Sequence, residues 1–201
     1  MRGPVKTLLF GLTDLRQARE VGALGVDAVV LAVGGAGPLQ VSPEAAVEIA
    51  AALPPLMARF ALVTPGVPTP KGFSGAVTGP KDRRPAGAVS RIVRLSQDVF
   101  RAGLAPADAD AWWLQPGAGG SSSATRFDFE RLVASGRGLR VILEIPDASA
   151  GVETAIRLGQ PYGVLFGEGV WFHPGIVDLD VLERALAIVT RLNKAAYSTE
   201  A

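Results

Sequence analysis

The chain has 201 residues, 48% of them hydrophobic and 19% charged, with a formal net charge of +1. That profile describes one ordered globular domain, and it excludes a disordered chain. The basic residues cluster no further than Arg83 and Arg84 beside Lys81, so neither nucleic acid nor an anionic membrane is an expected partner. With no cysteine and a single histidine, His173, the sequence excludes disulfides and thiolate catalysis and offers no zinc or iron site of the usual kinds; no cofactor is expected. The first residues lack a signal-peptide pattern, and no apolar run reaches the ~18 residues a membrane span needs, so the expected location is cytoplasmic.

Residues 7–12 (TLLFGL) are a short apolar run that suits a buried strand. Thr13 and Asp14 are N-cap candidates for a helix whose apolar positions run from Leu15 to Leu24 and stop at Gly25. Residues 27–33 (DAVVLAV) are the β-branched run of a strand buried on both faces, as in parallel sheets. Ser42-Pro43-Glu44 opens a second helix, with Ser as N-cap and Pro in the first turn, and Pro54-Pro55 stops it. Residues 59–64 (RFALVT) predict the third strand.

From Pro65 to Gly87 the rhythm breaks. Five prolines and five glycines leave no room for an ordinary amphipathic helix, although residues 73–78 suit a short strand. Residues 89–95 read as a strand followed by a helix capped by Ser96, or, with 88–103 taken together, as one helix; periodicity leaves both open. Residues 111–115 (AWWLQ) predict a strand, 116–123 a glycine- and serine-rich loop, 127–135 a short helix, 140–145 a strand and 149–158 a helix. Residues 162–166 are the last strand, and 178–193 form an amphipathic helix.

Seven or eight strands alternating with six or seven helices in about 200 residues sit at the lower size limit of a (β/α)8 barrel. The expected fold is therefore α/β: a small (β/α)8 TIM barrel, reduced between strands 3 and 5, in a single domain over residues 1–194 with 195–201 frayed. An open doubly wound sheet is the competitor.

Several phrases, in collinear order, resemble the phosphoribosylanthranilate isomerase family of tryptophan biosynthesis. They are Gly11-Leu12-Thr13, Val41-Ser42-Pro43-Glu44, Phe127-Asp128-Phe129, Tyr162-Gly163-Val164, Gly167-Glu168-Gly169-Val170 and Pro174-Gly175-Ile176-Val177-Asp178. The resemblance implies an Amadori rearrangement of an aminoaldose phosphate, which needs a general acid at the ring oxygen and a base at C2. It places the base directly before Gly-Leu-Thr, where this chain has Phe10. It places the acid at the end of the sixth strand, where this chain has Gln115, and an arginine anchor where this chain has Leu39. A pseudoenzyme follows from that mapping. The family's phosphate-binding loop matches Gly167, Glu168 and Gly169, but Glu168 repels a dianion. The seventh loop, Glu144-Ile145-Pro146-Asp147, brings two carboxylates and a proline without an N–H where paired glycines are implied.

Gln115, Glu144, Asp147 and His173 are the candidate catalytic residues. Phe10, Leu39, Gly167, Glu168 and Gly169 are the candidate binding positions. Each has a plainer reading: apolar packing for Phe10 and Leu39, a loop cap for Gln115, solvated strand ends for Glu144 and Asp147, an exposed loop for His173. Trp112 and Trp113 must face opposite sides of their strand, and read as packing. A small-molecule ligand, or else a second copy or protein partner covering a flank left bare by the missing helices, completes the expected partners.

Overall fold

In the computed structural model, residues 3–103, 108–116, 140–148 and 151–198 are described. The predicted helix over 127–135, and all but the start of the loop after the sixth strand, lie outside them.

Eight parallel strands form the sheet: β1 (Lys6–Phe10), β2 (Ala28–Val33), β3 (Ala58–Val63), β4 (Gly75–Thr78), β5 (Ser90–Ser96), β6 (Ala111–Gln115), β7 (Val141–Ile145) and β8 (Gly163–Phe166). Each pairs with its neighbours in sequence, and β1 pairs with both β2 (Leu8↔Ala28) and β8 (Leu8↔Leu165). That double pairing closes a (β/α)8 barrel and rules out the open sheet. A two-residue strand, Gln40–Val41, extends the edge of β2.

Strand alternation sorts the side chains into two cores. Leu8, Val30, Val77, Ile92, Trp113 and Ile142 fill the barrel interior. Leu9, Val29, Ala61, Val93, Leu143 and Val164 face outward, into the layer beneath the helices. The helices start where the sequence placed their caps. Asp14 accepts from Gln17 N at 2.8 Å ahead of α1 (Leu15–Ala23), and Ser42 from Ala45 N at 3.2 Å ahead of α2 (Pro43–Ala52). Ser96 accepts from Val99 N at 3.3 Å ahead of α3 (Gln97–Arg101), which decides the open choice over 88–103 in favour of strand then helix. α4 (Gly151–Gly159) and α5 (Leu179–Ser198) complete the described helices. α5 runs past Asn193, the expected end of that helix, to Ser198. Asn193 holds it to the chain entering β1, bonding Val5 N at 2.9 Å and Val5 O at 3.1 Å.

The reduction between strands 3 and 5 is present: neither the β3–β4 nor the β4–β5 connection contains a helix. Residues 65–87 are nevertheless not one structureless loop, because they carry β4. The flank is not bare either. Ala61, Ala76, Thr78, Val93 and Leu95 all face outward there and all are buried, and Val67, Phe73 and Ala88 of the connections pack in the same layer.

Arg91 fastens that cover. Its side chain is 2% exposed on the outer face of β5, a burial that an arginine tolerates only when its donors are satisfied. Nε donates to Thr78 Oγ1 at 3.0 Å, one terminal nitrogen to Asp108 Oδ2 at 2.5 Å, and the other to the carbonyls of Gly79 and Asp82. Arg84 also ties the cover down through Val89 O at 2.8 Å and Asp110 at 2.9 Å. We predict that Arg91→Met costs about 3 kcal/mol, because it strands several acceptors together. Urea unfolding measures this; a loss below about 1 kcal/mol contradicts the role given to Arg91.

Candidate functional site

Barrel enzymes work at the C-terminal ends of their strands. At that end the inward positions include Phe10 on β1, Arg94 on β5, Trp113 and Gln115 on β6 and Glu144 on β7, with Ala32 on β2 and Leu62 on β3. Gly167 follows β8.

Trp113 lies at the centre of this group. It is fully buried, so its indole N–H needs an acceptor inside the barrel. Glu144 Oε2 provides it at 2.9 Å. The register Leu114↔Leu143 sets Gln115 and Glu144 side by side, and Gln115 Nε2 donates to the same Oε2 at 3.2 Å. The other oxygen, Oε1, points toward Gly167, where a Cβ would sit 3.6 Å from it. The Arg94 guanidinium lies over the Trp113 ring, 5.0 Å from the centroid.

Aromatic rings close the β1 side. Phe10 packs edge-on against Trp113 at 5.2 Å and tilted against Trp171 at 6.0 Å. Trp171 donates from Nε1 to Phe10 O at 3.1 Å. Leu39 packs into the same interior cluster as Phe10, so both positions contribute apolar wall. Trp171 belongs to a hairpin of Trp171–His173 and Ile176–Val177 after β8, and this hairpin is docked on α1. Gln17 bonds both the N–H of Val177 at 3.0 Å and its carbonyl at 3.1 Å, and Thr13 Oγ1 donates to Gly175 O at 3.1 Å.

The structure thus brings Gln115, Glu144 and Phe10 into one group, with Leu39 in the same wall. Asp147 is exposed on the loop after β7, its carbonyl accepting from Gly151 N at 3.1 Å. His173 is exposed on the hairpin with its ring against Phe172 at 4.7 Å. Glu168 is exposed in a single 3-10 turn, Glu168–Val170. Gly167 is buried, and Gly169 packs so tightly on the Pro146 carbonyl that a Cβ there would collide with it. Sequence reasoning missed Arg94 and Trp171, and took Trp113 for packing alone. Alternation along residues 90–96 puts Arg94 on the face of Ile92, and that was the available signal for it.

Among the described residues, cavities lie elsewhere at two places. One of about 300 Å3 opens at the N-terminal end, where Ala28, Ala58 and Ala111 leave the lowest layer thin. One of about 410 Å3 sits between the connections after β3 and β4. Neither contains the Trp113 group.

Gly11 makes the aromatic wall possible. Its φ is +88°, and a Cβ on it would collide with the Trp171 ring. We predict that Gly11→Ala costs about 2 kcal/mol, through backbone strain and displacement of Trp171. Thermal unfolding and tryptophan emission read the two effects; a variant unchanged in both contradicts this packing.

No family model matches the chain. It is 30% identical over 203 residues to the N-(5'-phosphoribosyl)anthranilate isomerase of Acidithiobacillus ferrooxidans, covering 92% of this chain and 97% of that one. Among solved structures it is similar to the phosphoribosyl anthranilate isomerase of Thermotoga maritima, with a TM-score of 0.73 at 21% identity over 92% of this chain and 98% of the other. It is also similar to that of Thermus thermophilus, with a TM-score of 0.70 at 22% identity over 94% and 100%. At such identities the structural likenesses speak to the fold. Among the described residues, no helix is long and apolar enough to cross a membrane. The closed eight-stranded barrel and the near full-length sequence match together place the chain in the phosphoribosylanthranilate isomerase family, a (β/α)8 barrel family of tryptophan biosynthesis.

Proposed function

We propose that this member of the family does not catalyse the family's rearrangement, and that its C-terminal mouth binds a small molecule with groups of its own. The observation that carries this reading is Phe10. It stands where the resemblance puts the base, 7% exposed and held between Trp113 and Trp171, and it has no atom that takes a proton.

Gln115 supports the same reading. An Amadori rearrangement needs one group to protonate the ring oxygen and another to remove a proton from C2. At the position the resemblance gives to the acid, an amide donates to Glu144 and cannot supply a proton at neutral pH. Glu144 is a single carboxylate with one oxygen already accepting two N–H donors, and it cannot serve both steps at once. Leu39 removes the anchoring cation.

A second reading keeps an enzyme with different chemistry, and Glu144 favours it, because its Oε1 faces Gly167 as an acceptor for a substrate proton. The third reading, an assembly module docked through a bare flank, loses its motive because the outward residues of that flank are buried, with Val67, Phe73 and Ala88 packed in the same layer.

The test is turnover of phosphoribosylanthranilate by the purified chain, followed as loss of its fluorescence. The expected kcat/KM lies well below the ~10^4 M⁻¹s⁻¹ lower end of ordinary enzymes. Turnover inside the ordinary range overturns the reading, and Glu144→Gln then tells whether Glu144 carries it.

A further inference from the structure

We propose that Arg94 is the anchor for a ligand carboxylate. The occupant of the mouth is a small, non-phosphorylated acid that carries a hydroxyl or amine beside an apolar group. This rests on the reading above, that the mouth binds a molecule of its own.

The other described arginines withdrawn from solvent, Arg59 and Arg91, have hydrogen-bond partners. Arg59 donates to the carbonyls of Ala50, Leu53 and Pro54, at 2.9, 3.2 and 3.0 Å, closing the end of α2. Arg84 and Arg91 are equally well supplied on the reduced flank. Among the described arginines that are not exposed, Arg94 is the exception. Among the described residues it makes no hydrogen bond and no ion pair, and its Nε is buried without a partner. Its guanidinium lies instead on the Trp113 face. A guanidinium taken partly out of water and left unpartnered costs stability, and such a cost persists where a ligand is to be bound.

The identity of that ligand follows from the neighbours. A guanidinium presents a planar fork of donors that matches a carboxylate with two parallel hydrogen bonds. Glu144, bonded to the same indole, leaves Oε1 open, and an open carboxylate oxygen accepts an O–H or N–H. Among the described residues one cation, Arg94, and one anion, Glu144, point inward at this end, so a monoacid with a donor balances them. A phosphate dianion does not: Glu144 repels it, Glu168 adds a second negative charge after β8, and Pro146 withholds an N–H from the loop after β7. Phe10, Leu39 and Trp171 provide the apolar wall for the rest of the molecule.

The probes are mandelate and L-phenylalanine, each a monocarboxylate with a donor and a phenyl group, set against ribose 5-phosphate. Binding to the full chain is followed by tryptophan fluorescence. At least one of the two acids is expected to saturate with a Kd at or below about 10 mM, and ribose 5-phosphate to bind at least ten-fold more weakly. Arg94→Met should weaken the acid at least ten-fold, with Arg94→Lys in between. Arg94→Met should also melt at or above the wild-type temperature, because it removes an unpartnered cation; a structural arginine would melt lower on replacement. Tighter binding of ribose 5-phosphate, silence from both acids, unchanged affinity in Arg94→Met, or a fall of several degrees in its melting temperature each overturns the proposal. Turnover of phosphoribosylanthranilate by the wild type instead overturns the reading of the mouth, whatever Arg94→Met does.

Discussion

The mouth of this barrel is organised by the need of one buried indole for an acceptor. Trp113 is fully enclosed, and an unsatisfied N–H there would cost about 1–3 kcal/mol. Glu144 meets the need, which draws a carboxylate to the inner face at the end of β7. Gln115 then has an acceptor beside it, Phe10 has a ring edge to pack on, and Arg94 has a π-face beneath it. Each group occupies its place because Trp113 occupies its own.

The same barrel is held together differently on its two sides. Between β8 and β1, α5 and the hairpin of residues 171–177 are bolted to α1 and to the start of β1 by Gln17, Thr13 and Asn193. Across β3 to β5 no helix is present, and a buried arginine does the work that helix packing does elsewhere. Arg91 gathers Thr78, Gly79, Asp82 and Asp108, so two irregular connections seal the outer layer. Closure of the sheet therefore survives the loss of two helices, and closure fixes which side chains point into the mouth.

Much of the fold was legible because local rules carry it. The run AVVLAV at β2, the Ser42-Pro43 cap and the proline-rich break after residue 64 each point to their element without help from distant residues. The candidate site was legible only in part. Phe10, Leu39 and Gln115 stood out because the resemblance assigns roles to their positions. The link from Gln115 and Trp113 to Glu144 spans about thirty residues and depends on the register of β6 against β7, which no local pattern specifies. Arg94 was hidden in a stretch that read equally well as strand or helix, and only the strand reading turns it inward. Asp147 and His173 were plausible by chemistry, but they are carried on exposed loops away from the Trp113 group.

The most direct test of this organisation is the indole N–H resonance of Trp113 in a proton–nitrogen spectrum of the native chain and of Glu144→Ala. The account predicts a downfield signal that exchanges slowly with solvent in the native chain. In the variant it should move upfield and exchange faster, while the signal of Trp112, on the opposite face of β6, stays in place. A Trp113 signal that is the same in both proteins, or that exchanges as freely as an exposed indole, would contradict the central place given to this one hydrogen bond.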